Sequence, residues 1–90
     1  MPRLDRDALN NANPKAVAMA TLQTLMGLEN HPAHIQVMAA AAVFLSLADH
    51  LGIPAQEAFT ATTNLINDTE GKRTEFRALD AYMKGEIFHG

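Results

Sequence analysis

Cysteine is absent from the 90-residue sequence, and aromatic residues make up only 6% of it. The lack of cysteine excludes thiol catalysis, cysteine-ligated zinc and a stabilising disulfide. A chain of this length buries only about two thirds of the surface that its unfolded form exposes. We therefore expect one helical domain over residues 1–90 that relies on packing alone or on a partner, with homo-oligomers as one way to gain stability.

Basic residues are missing from the long middle of the chain. Residues 16–71 contain no lysine or arginine but five acidic residues, within a chain whose formal charge is −3. The seven basic residues are Arg3, Arg6, Lys15, Lys72, Arg73, Arg77 and Lys84. Because phosphate contacts need cations, nucleic-acid binding would depend on the two ends of the sequence, and a nucleic-acid partner is not expected.

A membrane-spanning run and a secretory signal are also lacking. The longest apolar stretch, Val37–Ala48, has 12 residues with Ser46 as its one polar side chain. A spanning helix needs about 20 apolar residues. The first 15 residues contain two aspartates and three asparagines where a secretory signal carries an apolar core. We expect a cytoplasmic protein with no membrane partner.

Proline, glycine and apolar spacing predict an all-α fold. Three prolines, at positions 14, 32 and 54, suit the first turn of a helix, and glycines at 27, 52 and 71 suit helix ends. No stretch alternates as a strand does. The predicted helices cover residues 14–26, 32–51, 54–68 and 74–87, approximately, after a loosely ordered segment at residues 1–12.

The second predicted helix is apolar on every side over Val37–Ala48. A helix with this pattern is usually covered on all sides, so we predict a compact four-helix bundle-like domain with helix 32–51 in the centre. Four consecutive alanines, Ala39–Ala42, predict that a neighbouring helix crosses closely at that point.

Residues 47–65, LADHLGIPAQEAFTATTNL, resemble a helix-turn-helix. The resemblance rests on Ala48, Leu51, Gly52 and Ile53, which stand at the spacing of that motif's first helix and turn. It implies a DNA-binding regulator, in which the following helix reads bases. The base-reading side chains would be Gln56, Thr60 and Asn64.

Two departures set this segment apart from the motif. Ala58 and Ala61 stand where branched aliphatic residues are usual in the second helix. That helix also contains no lysine or arginine for phosphate contacts. An ordinary connection between two helices explains the same residues.

The outer face of predicted helix 54–68 is polar but uncharged. Such a face can be buried without leaving an ion unpaired, so we predict that it binds a protein partner or a second copy of the chain. Its members are Thr60, Thr63, Asn64 and Asn67. The basic cluster Lys72, Arg73 and Arg77 is a second predicted partner surface, in which Arg73 and Arg77 could hold an acidic group together.

Signals for metal binding and catalysis are weak. His31 and His34 are one turn apart but have no further ligand at a suitable spacing, and His31 is predicted to cap the helix beside Pro32. Ser46, the sole serine, lies inside an apolar helix, and no glycine-rich phosphate loop is present. We expect no catalytic residues, no metal site and no cofactor.

By elimination, the sequence predicts a small intracellular protein–protein interaction module. The tail KRTEFRALDAYMKGEIF on a short, alanine-rich helical chain is similar to small accessory proteins of bacteriophages. That similarity implies action by binding host or phage proteins. The alternative hypothesis is the helix-turn-helix regulator.

Overall fold

The computed structural model describes residues 6–87 of the chain. The helices are α1 (Arg6–Asn10), α2 (Pro14–Met26), α3 (Ala33–Leu51), α4 (Ala55–Ile66) and α5 (Thr74–Tyr82), and a π-helical turn at Met83–Ile87 extends α5. Two short strands, β1 (Asn67–Asp68) and β2 (Gly71–Lys72), lie between α4 and α5. The predicted all-α class is confirmed.

Prolines mark the starts of three helices. Pro14 is the first residue of α2, and the Asn13 side chain caps this helix by accepting hydrogen bonds from the backbone N–H groups of Lys15 and Ala16, at 2.9 and 3.2 Å. Pro32 and Pro54 themselves occupy the cap positions of α3 and α4. The predicted cap by His31 is therefore wrong.

Helix α4 ends two residues before the predicted boundary, because the chain turns back on itself after Ile66. Asn67 pairs with Lys72 and Asp68 with Gly71 in an antiparallel ladder, and Gly71 has a φ of 115°. Only a glycine adopts this conformation without strain. The prediction that the chain contains no strand is wrong, since strands of two residues are too short to show alternation.

The helices pack mainly in pairs: α2 on α5, and α3 and α1 on α4. On the first pair, Phe76 of α5 is buried to 4% exposure. At the second group, Ala48, Ile53 and Ala58 form a buried cluster against which Leu9 and other half-buried side chains pack. The molecule is flattened, with extents of 40 × 31 × 18 Å and a radius of gyration of 13.9 Å.

The N-terminal segment reaches the core through Leu9 of α1. Residues 1–5 lie outside the part of the chain that the structure describes. Loose ordering of residues 1–12 therefore stays a prediction, although the segment supplies one apolar contact to the cluster beneath α3 and α4.

Helix α3 is not covered as the sequence predicted. Gln36 and Ala48 are its only buried residues, and Met38 is 67% exposed. Ala39 is half-buried, but Ala40, Ala41 and Ala42 are exposed, so the predicted close crossing at the alanines is wrong. The reason is that α2 and α5 pack on each other, and α4 is the main neighbour of α3.

Candidate interaction surface

Large apolar side chains are exposed mostly on α3. Nine such residues are exposed among the side chains that the structure describes, and six belong to this helix. Those six are Ile35, Val37, Met38, Val43, Leu45 and Leu47. Apolar area left in water costs about 25 cal/mol per Å² relative to burial. An exposed apolar area concentrated on one element is typical of an interaction surface.

One face of α3 combines large and small apolar residues. Met38, Ala41, Ala42 and Leu45 follow the i, i+3, i+4, i+7 spacing that places residues on one side of a helix, and all four are exposed. We name these four residues the α3 strip. It lies about a quarter turn around the helix from the side chains of Phe44 and Ala48, which pack at the α4 junction.

Two polar side chains stand at the ends of the α3 strip, on the same face. His34 precedes Met38 by four residues, and Asp49 follows Leu45 by four residues. Both are exposed. The surface therefore has an apolar centre with a hydrogen-bond donor at one end and a carboxylate at the other.

Gln36 is the buried polar residue of α3. Gln36 is only 8% exposed, and its Nε2 donates a 2.9 Å hydrogen bond to the backbone carbonyl of Leu28. Ile35 is 41% exposed. The hydrogen bond ties the start of α3 to the loop after α2, and no sequence pattern indicated it.

Three residues of the predicted polar face, Thr60, Thr63 and Asn64, are exposed on α4, whereas the fourth, Asn67, is exposed in β1 just after that helix ends. Three of the four donate to carbonyls of α4 one turn back: Thr60 Oγ1 to Gln56 O, Thr63 Oγ1 to Phe59 O and Asn67 Nδ2 to Thr63 O, at 3.0, 3.0 and 3.1 Å. Since the hydroxyl oxygens of the two threonines keep acceptor capacity, this face can still accept hydrogen bonds from a partner.

Phe59 belongs to the exposed side of α4 rather than to the core. Phe59 is 58% exposed and Thr62 is exposed, whereas Ala58 is buried. The helix turns the side that contains Ala58 to its neighbours, and alanine allows the close approach that a phenyl ring would prevent. The uncharged face of α4 therefore carries an aromatic ring.

The basic cluster is divided among different contacts. Lys72 pairs with Asp80 at 2.5 Å. Arg73 lies just before α5, is half-buried, and donates from Nε to the carbonyl of Leu65 at 2.6 Å. Arg77 is exposed on α5. Two of the three predicted partner-binding cations thus hold the α4–α5 connection together.

The segment that resembles a helix-turn-helix does form two helices with a short turn. Three residues, Gly52, Ile53 and Pro54, join α3 to α4, and Gly52 is left-handed with a φ of 74°. The Ile53 N–H donates to the carbonyl of Ala48 at 3.0 Å. Gln56, Thr60 and Asn64 are exposed on α4, while α3 and α4 contain no lysine or arginine.

Metal ligands do not assemble in the part of the chain that the structure describes. No three side chains of histidine, aspartate or glutamate come together there as ligands. An open cavity of about 410 Å³ lies between α1, α4 and Arg73, and its polar lining consists of Asn10, Asn11, Asn64 and Arg73. This lining contains no carboxylate or imidazole for acid–base chemistry.

By length and composition alone, helix α3 is long and apolar enough to cross a membrane. Its uninterrupted apolar stretch is shorter than the helix itself. Val37–Ala48 spans about 18 Å at 1.5 Å per residue, against the ~30 Å of a bilayer's hydrocarbon core.

Comparisons with protein-family models, with curated proteins and with solved structures gave no match to this chain.

Proposed function

We propose that this protein is a small protein–protein interaction module and that the exposed apolar side chains of α3 are its main contact surface. One observation carries the proposal: six of the nine exposed large apolar residues of the described chain lie on this helix. Covering them with a protein surface removes apolar area from water, which is the main favourable term in protein association.

A protein partner fits α3 better than a lipid bilayer does. The apolar stretch is about 18 Å long, too short for the hydrocarbon core, and Asp49 and His50 follow it directly. Its C-terminal part also packs at the α4 junction through Phe44 and Ala48. The proposal takes the protein to be cytoplasmic, as the sequence predicts.

Photo-cross-linking from single positions tests the proposal. A photoreactive residue at Leu45 of α3 is expected to capture a protein in cells, giving a band of defined mass. The same residue at Glu70, exposed in the turn between β1 and β2, is the matched control and is expected to capture little. Capture from Glu70 but not from Leu45, or flotation of the purified protein with lipid vesicles, would contradict the proposal.

The polar face of α4 remains a second proposed contact surface. Phe59 adds an exposed ring beside Thr63 on this uncharged face, and aromatic residues are enriched among those that carry binding energy. A role like that of a bacteriophage accessory protein would use such surfaces, and it stays a proposal.

A helix-turn-helix regulator is the second candidate function. The three-residue turn with left-handed Gly52, and the burial of Ala48, Ile53 and Ala58 against one another, favour it. If it is correct, the chain binds duplex DNA at low salt, and replacing Gln56, Thr60 and Asn64 with alanine abolishes binding. Absence of any duplex binding at low salt would exclude this function.

A further inference from the structure

We propose that the α3 strip binds a second copy of this chain, with the two α3 helices antiparallel about a two-fold axis between Ala41 and Ala42. This inference rests on the proposed function, because it names the occupant of the surface on which that function depends. The other exposed apolar residues of α3 remain available to a different partner.

The residues of the strip are arranged symmetrically about its centre. In an antiparallel pair with this axis, Ala41 of one copy lies opposite Ala42 of the other, and Met38 lies opposite Leu45. A two-fold interface has this reciprocal form, in which residue i contacts j and j contacts i. The alanines allow the helix axes to approach to the short end of the usual ~8–10 Å range, with Met38 and Leu45 packing on either side.

The polar ends of the surface obey the same symmetry. His34 and Asp49 are each the same number of residues from the centre, so the antiparallel arrangement brings His34 of one copy to Asp49 of the other, twice. An imidazole N–H donates to a carboxylate oxygen in either protonation state of the ring. In a parallel pair each of these side chains would meet its own copy, and two aspartates would repel each other.

The chain exposes more area than a compact monomer of its size. Its exposed area is 6708 Å², whereas a 9.8 kDa monomer is expected to expose about 5,200 Å². This surplus belongs to the chain as a whole, but six of the nine exposed large apolar side chains of the described residues lie on α3. A dimer through α3 would therefore cover the helix on which most of these side chains lie.

Light scattering on the purified full-length protein is the first test. We expect the wild-type mass to be twice 9.8 kDa at micromolar concentration. Leu45→Asp should raise the dissociation constant of the dimer at least about 100-fold, because the charge is buried at two symmetric places. The control is Val43→Asp, since Val43 is 52% exposed on another side of α3 and should change the constant less than about threefold. Circular dichroism checks that both variants stay helical.

The register is tested by exchanging charges. His34→Asp places an acid opposite Asp49 and should weaken the dimer about fivefold. Adding Asp49→Lys to the same chain restores opposite charges and should recover most of the loss. A double variant no tighter than the single one would overturn the proposed register.

Disulfide cross-linking distinguishes an antiparallel pair from a parallel one. Because the native chain contains no cysteine, only the introduced cysteines can form the disulfide. In an equal mixture of Met38→Cys and Leu45→Cys chains, the mixed disulfide should form faster than either like pair. Predominant like-with-like linkage would contradict the antiparallel arrangement.

The dimer and the proposed function can fail separately. A wild-type monomer that still captures another protein from Leu45 would refute the dimer but keep the proposed function, whereas a monomer that captures nothing would refute both.

Discussion

Helix α3 carries apolar side chains around its whole circumference, whereas α5 carries them on one side. The longer helix buries only Gln36 and Ala48, while the shorter one turns Phe76 inward to 4% exposure. The comparison teaches that apolar content does not determine burial. A one-sided pattern specifies which face meets the rest of the chain, but an all-round pattern satisfies no single neighbour and leaves area for another molecule.

The largest effect is expected from a substitution in α5, at the buried side chain of this comparison. Phe76→Ala should lower the free energy of unfolding by about 3–5 kcal/mol, because removing a phenyl ring that is only 4% exposed leaves a cavity in the core. Phe59→Ala is the matched control, since the Phe59 ring is 58% exposed, and it should cost less than about 0.5 kcal/mol. Urea denaturation measures both. Similar losses for the two variants would mean that Phe59 is covered in solution.

Alanine enlargement compares the covered and uncovered parts of α3 itself. Ala48→Leu should cost about 1–3 kcal/mol by overpacking against Ile53 and Ala58. Ala41→Leu should change the free energy of unfolding by less than about 0.5 kcal/mol, since Ala41 is exposed. Both are measured by urea denaturation in a Leu45→Asp background, which removes any contribution from a dimer. A large loss at Ala41 would show that a neighbouring helix covers the strip within one chain.

Glycine substitution tests the turn that brings α4 beneath the end of α3. Gly52→Ala should cost about 1–2 kcal/mol, because Gly52 has a φ of 74° and alanine is strained there. Gly85→Ala in the π-helical turn should be neutral, as Gly85 lacks a positive φ and an added Cβ would meet no atom within 4 Å. Thermal unfolding measures both variants. A similar fall in melting temperature for Gly52→Ala and Gly85→Ala would contradict the assignment of strain to Gly52.

Arginine replacement gives the smallest expected effect. Arg73→Met removes the hydrogen bond to the Leu65 carbonyl and should cost about 1 kcal/mol of unfolding free energy. Arg77→Met, on the exposed side of α5, should leave the free energy of unfolding unchanged. If Arg77→Met weakens partner binding without lowering the free energy of unfolding, Arg77 belongs to a basic partner surface, as the sequence predicts.

Local signals in the sequence were sufficient for the bounds of α2 and for the end of α3. Pro14 and the Asn13 cap specify the start of α2, and the predicted range 14–26 matches Pro14–Met26. Gly52 likewise marks the end of α3. These positions depend on the conformation of one or two residues, which the residue type largely decides.

Burial was harder to predict because it depends on which helices meet. The pattern of α4 permits either Ala58 or Phe59 on the inner side, and the choice of Ala58 follows from how closely its neighbours pack. The contacts of Arg73 with Leu65 and of Lys72 with Asp80 depend on the β1–β2 turn, which is too short for a periodic signal. The sequence accordingly predicts partner surfaces on α4 and α5, whereas most of the exposed large apolar side chains lie on α3.

The hydrogen bond from Gln36 to the Leu28 carbonyl has a consequence for how α3 is oriented about its own axis. A helix that is apolar on every side gains nearly the same packing energy at any rotation about its own axis. Hydrophobic packing alone therefore does not select one rotation. A buried amide that loses its partner costs about 1–3 kcal/mol, which is enough to select one setting. This directional bond at the start of the helix therefore favours the rotation in which Gln36 faces inward.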